Sequence, residues 1–105
     1  MIQAYVPDLM DRSKVAAAAP EIEFVDDPAA LEGSDADLVV VDLGRPGVID
    51  ALPRIRARTV GYARHTSTDV LDAARAAGCD EVLVRSAFFG RLPEVLGSAA
   101  GGGES

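Results

Sequence analysis

The sequence predicts an α/β domain, doubly wound around a five-stranded parallel sheet, and three observations support this. Short β-like runs alternate with helix-like ones along all of the chain but its end, the signature of βαβ units. The third β-like run, Asp37 to Leu43 (DLVVVDL), is apolar without polar alternation from Leu38 to Val41, as expected of a strand covered on both faces. No internal repeat is visible, and 105 residues with 49% hydrophobic content suffice for one core but not two.

The first strand is read at Ile2 to Val6, and the first helix follows from Leu9 to Ala18, with Asp8 as its cap and Pro20 as its stop. Glu21 to Val25 reads as a half-exposed edge strand, since Ile22 and Phe24 alternate with Glu21 and Glu23. Asp27 can cap a short second helix through Pro28, Ala30 and Leu31, ended by Gly33. After the third strand comes a third helix from Val48 to about Arg56, which Pro53 should break. The fourth strand is Thr59 to Ala63. The fourth helix, about Ser67 to Ala77, carries Val70, Ala73, Ala74 and Ala77 on one face, with a capping box from Thr66 to Asp69 and Gly78 as its left-handed end. Glu81 to Val84 is the fifth strand, and the last helix, bearing Pro93, should be kinked, broken or start late. The domain is expected to span residues 1–96, followed by a flexible Gly/Ser-rich tail over residues 97–105 (GSAAGGGES).

Composition narrows the function classes. A net charge of −7 repels phosphate backbones and anionic lipid, so neither nucleic acid nor membrane is an expected partner. The local concentration of base at Arg54, Arg56, Arg58 and Arg64 alternates with apolar or small residues, as on a solvated helix end. Apolar runs are far shorter than a bilayer span, the N-terminus lacks the pattern of a secretory leader, and the single Cys79 can form no internal disulfide. A cytoplasmic location is expected. Cys79 itself is read as a small packed side chain, and His65 as a loop residue.

In an open parallel sheet ligands gather beyond the carboxyl ends of the strands, which directs attention to Asp8, Asp42, Arg64 and Arg85. No GxGxxG or GxxxxGK[ST] loop follows the first strand, no GxSxG elbow is present, and one Cys with one His gives no metal-ligand spacing. Asp42 stands at the end of the most apolar strand, where its carboxylate can either take part in chemistry or cap the turn LGRPG that follows.

The order of elements, the stretch VVVDLGRPG around Asp42, and DVLDAARAAGCDEVL from Asp69 to Leu83 together resemble a response-regulator receiver domain. That resemblance implies a receiver-like, flavodoxin-like sheet with strand order 2-1-3-4-5. In the family the third strand ends in the phospho-accepting Asp with Pro four residues later, and Asp42 with Pro46 match. Phosphoryl transfer to a carboxylate requires a divalent ion and positive charge against the anionic oxygens. The family's paired acids after the first strand correspond here to Pro7 and Asp8, its switching hydroxyl to Ala63, and its lysine to Arg85, with Ser86 in place of the usual proline. Arg85 is expected to hold Asp42 in a standing ion pair, because a guanidinium can grip a carboxylate in two places.

The expectation is therefore a non-enzymatic, degenerate receiver, or pseudo-receiver, acting as a protein–protein interaction module in signalling, with Asp42 a vestigial phospho-acceptor position and no cofactor. The resemblance implies that a protein partner or a second copy docks on the fourth helix, fifth strand and last helix, including Asp72, Arg75, Asp80, Phe88 and Arg91; of the Phe88 and Phe89 pair, one ring is weighed for that interface and otherwise for the core. Two alternatives stand beside it. One is an active receiver that binds Mg2+ through Asp8 and Asp42, with Asp26 or Asp27 as a possible further acid. The other is a flavodoxin-like binder of a nucleotide, flavin or other anion using Arg64 and Arg85.

Overall fold

The computed structural model describes residues 1–100, with residues 98–100 described as backbone only. Five parallel strands, β1 (Ile2–Tyr5), β2 (Glu23–Phe24), β3 (Leu38–Asp42), β4 (Thr59–Ala63) and β5 (Glu81–Val84), form one sheet in the order β2-β1-β3-β4-β5. The register pairs Ala4 with Val40 and Val41 with Gly61, so β3 is held between β1 and β4.

Alternate residues of β3 feed opposite cores, as its uninterrupted apolar run requires. Leu38 and Val40 pack with Val15 of α1 (Leu9–Ala18) and with Phe88, Leu92 and Val95 from the C-terminal helices. Val39 and Val41 pack on the other face with Leu31, Val48, Leu52, Leu71 and Ala74. The sheet is thus covered on both sides, and no side-chain polar atom of the described residues is buried without a hydrogen-bond partner.

Most element boundaries follow the local signals. Asp8 caps α1 by accepting from the amides of Met10 and Asp11, and Asp27 accepts from the amide of Ala29 to start the 3-10 turn Pro28–Leu31. The third helix is α2 (Val48–Ala51) followed by a 3-10 turn Leu52–Arg54, the break that Pro53 imposes. The last helical segment divides into α4 (Arg85–Gly90) and α5 (Leu92–Ala100), placing Pro93 in a first turn, where its missing N–H costs nothing.

Three local expectations are corrected. β2 pairs only two residues, because the amide of Ile22 turns back to the carbonyl of Ala19 and never joins the ladder. In α3 (Thr68–Ala76) the N-cap is Ser67, which makes no side-chain cap bond, so the Thr66–Asp69 box does not form. The inward face of α3 is centred on Leu71 and Ala74, and Ala73 is exposed. The expected start of the tail after Leu96 falls inside α5, and residues 101–105 lie outside the described residues.

Candidate functional site

The carboxyl ends of β1, β3 and β4 open into a cleft of about 450 Å3 lined by Asp8, Asp11, Asp42, Arg45, Tyr62, Ala63, Arg64 and Arg85, among others. The four sequence-selected positions Asp8, Asp42, Ala63 and Arg85 are thus brought together. Their pairing is not the expected one.

Arg85 does not hold Asp42. It grips Asp11 with both ends of its guanidinium, Nη1 donating to Oδ2 at 2.6 Å and Nη2 donating to Oδ1. Asp11 lies on the inward stripe of α1, one turn before Val15, and is only 2% exposed. The buried Tyr62 hydroxyl also donates to Asp11 Oδ2, at 3.3 Å, so the carboxylate has three polar contacts. Two side chains reaching from β4 and from the start of α4 therefore meet an acid on α1 and tie three elements together.

Electrostatics follows from this geometry. The Arg85 hydrogen bonds hold the Asp11 carboxyl below its ordinary value, outweighing the burial that opposes ionisation. Asp11 in turn raises the guanidinium of Arg85, keeping it charged. Burial raises the Tyr62 phenol, helped by the negative charges of Asp42 and Asp11, so Tyr62 remains a neutral donor. The guanidinium of Arg85 is also 4.8 Å from the centroid of Phe89, and the Tyr62 ring stacks on Phe88 at 4.5 Å.

Asp42 is occupied by its own loop. Its Oδ1 accepts from the amide of Gly44 at 3.1 Å, the turn-capping role open to an acid at the head of LGRPG, and its Oδ2 accepts from Arg45 Nε at 3.2 Å. Asp8 Oδ1 is spent on two amides of α1. Among the described residues no group of three or more His, Cys, Asp or Glu is placed to hold a metal ion. With Asp11 engaged by Arg85, Asp8 and Asp42 are the cleft's remaining carboxylates for a divalent cation, which takes several oxygen ligands.

Of the surface positions, Asp72 and Arg75 are exposed and paired at 3.0 Å, and Arg91 pairs with Glu94 at 3.3 Å. Asp80 has a structural task, accepting from the amide that begins β4, Thr59 N, at 2.8 Å. Phe88 is corrected outright: it is completely buried under Tyr62 and offers no surface, while Phe89 is half-buried beside it. The Cys79 thiol lies near the carbonyls of Thr59 and Glu81, with burial pushing it up to about 11. His65 is exposed in the loop after β4.

Sequence reasoning missed Asp11 and Arg45. The signal for Asp11 was its place four residues before Val15 on the stripe that must face the sheet, where an acid needs a buried cation. Arg45 carries no such signal, since a loop arginine is ordinarily solvated.

No protein-family model and no curated protein matches this sequence. Solved structures do. The chain superposes on a response regulator from Hahella chejuensis with a TM-score of 0.76 at 18% identity, covering 93% of this chain and 92% of the other. A response regulator from Thermotoga maritima gives 0.72 at 14% identity, with 93% and 94% covered. The phosphorylated cyanobacterial phytochrome response regulator RcpA gives 0.72 at 17% identity, with 95% and 90% covered. The fold is that of the response-regulator receiver domain, with the strand order expected from the sequence.

Proposed function

We propose that this chain is a non-enzymatic receiver-fold module that transmits signals through protein–protein contacts, without the standard magnesium-dependent phosphorylation of an aspartate. The observation that supports this reading is the partnership of Arg85. The cation at the position of the family's lysine is engaged twice by a buried carboxylate on α1, while Asp42 is bonded to Gly44 and Arg45. A phosphoryl group on Asp42 that drew Arg85 away from Asp11 would leave a charge buried without its partner, a loss of roughly 3–5 kcal/mol when such pairs are broken inside proteins. Ala63 supplies no hydroxyl to receive it, and no group of three or more acids is placed for a metal ion among the described residues.

The direct test is incubation with magnesium and acetyl phosphate followed by mass spectrometry of the intact protein. No phosphoryl increment is expected, and an adduct mapped to Asp42 would overturn the reading. The contact face we propose is that of α3, β5, α4 and α5, offering Asp72, Arg75 and Arg91 to a protein partner or a second copy. Light scattering over a range of concentrations, with Arg75→Glu as the perturbing variant, examines self-association on this face. A dimer indifferent to that substitution would place the contact elsewhere.

A further inference from the structure

Across the whole chain acids outnumber Lys and Arg by 17 to 10, yet a second cleft of about 550 Å3 reverses that balance. It lies where α1, the loop between β4 and α3, and the junction of β5 with α4 converge. Its lining includes the cations Lys14, Arg64 and Arg85, the hydroxyls of Thr66 and Ser86, and the Phe89 ring, with no carboxylate among the lining residues. Lys14 Nζ and the Arg85 guanidinium stand 5.2 and 4.8 Å from the centroid of that one ring, which gathers both charges at the cleft. Arg64 is exposed and forms no ion pair among the described residues. Arg85 gives two of its five N–H donors to Asp11, and its side chain is still 39% exposed, so part of the fork remains available.

We propose that this cleft binds a phosphate-bearing small molecule through Lys14, Arg64 and the outer edge of Arg85. Three cations around one opening repel one another, and a dianionic phosphate relieves that repulsion while accepting from two guanidinium forks and two hydroxyls. The space lies within the roughly 300–1,000 Å3 of small-ligand sites and has room for a phosphate carried on a group as large as a nucleoside, for which AMP is the probe. The neighbouring cleft is the less favourable place for it, because Asp8, Asp11 and Asp42 there offset the charge of Arg45, Arg64 and Arg85. The site does not depend on whether Asp42 accepts a phosphoryl group.

Isothermal titration of the full chain with AMP, inorganic phosphate and adenosine at low salt tests this. AMP is expected to bind, phosphate to bind more weakly, and adenosine not at all. Arg64→Ala and Lys14→Ala, both at exposed positions, each weaken AMP about tenfold, the loss that one charge-assisted contact represents. Asp42→Asn leaves AMP affinity unchanged. The proposal is overturned if millimolar AMP gives no heat of binding, if adenosine or phosphate binds as tightly as AMP, or if both alanine variants behave as the unaltered chain. It is equally overturned if Asp42→Asn abolishes binding, which would place the anion in the acidic cleft.

Discussion

The two clefts at the carboxyl end of the sheet share Arg64 and Arg85 as a common wall, yet they are opposite in character. In the acidic cleft every carboxylate has a partner: Asp8 two helix amides, Asp11 a guanidinium and a phenol, Asp42 an amide and Arg45. In the basic cleft Lys14 and Arg85 face the Phe89 ring and no carboxylate lies in the lining, although Arg85 is paired from behind with Asp11. The difference teaches that position beyond a strand end does not make a group reactive. A carboxylate already bonded to its own surroundings is part of the scaffold, whereas Lys14 and Arg64, which form no ion pair among the described residues, retain binding capacity.

The strongest way to break this comparison is to remove the wall between the clefts. Arg85→Ala strands Asp11, which is only 2% exposed, and should cost about 2–4 kcal/mol, read as a lowered urea midpoint. A loss below about 1 kcal/mol would mean that the pair does not hold α1 to the sheet. Next comes Gly61→Ala. The added Cβ would lie 2.5 Å from Cδ2 and 2.6 Å from Cγ of Leu43, a buried side chain with no free end to swing aside. Overpacking of this kind costs about 1–3 kcal/mol, and it should disturb the loop carrying Asp42 and Arg45 while leaving the basic cleft unchanged in NMR spectra.

Acid titration sharpens the role of Asp11. Its folded-state carboxyl is held below the ordinary 3.8 by Arg85, so the stabilisation is complete above that value and is lost as pH falls through the lower folded value. The Asp11→Asn variant should be less stable near neutrality, by about 1–2 kcal/mol, and the gap should narrow as pH falls through 3.8 toward the lower folded value. A constant gap across that range would remove ionisation of Asp11 from the account. Smaller again is Arg45→Ala: the Asp42 pair is partly solvated and local, so thermal denaturation should register a change of no more than about 1 kcal/mol. Smallest is Arg64→Ala, expected to stay within about 0.5 kcal/mol in the same measurement, so that any effect on AMP binding reflects contact with the ligand.

Much of this arrangement was legible before folding was considered. The apolar run of β3 announced a central strand, Asp8 and Asp27 announced helix starts, and Pro53 and Pro93 announced the breaks in the helices that carry them. Asp8, Asp42, Ala63 and Arg85 line one cleft, since each stands at or just beyond the carboxyl end of a strand of one parallel sheet. The pairings among them were not legible. Arg85 and Asp11 are 74 positions apart, and nothing along the chain specifies that a guanidinium at the start of α4 reaches an acid on α1 instead of one at the end of β3.

The sequence alone determined much of what depends on near neighbours and on periodicity: the order of strands and helices, the caps at Asp8 and Asp27, the two-faced burial of β3, and the absence of a hydroxyl at Ala63. Tertiary structure decided which charges meet. Packing α1 against the sheet buried Asp11 almost completely, and a fully buried carboxylate costs more without a cation than Asp42, whose side chain keeps 15% of its exposure and bonds to its own loop. Arg85 is therefore paired with the acid whose isolation would be the more costly, and Asp42 is left to its turn.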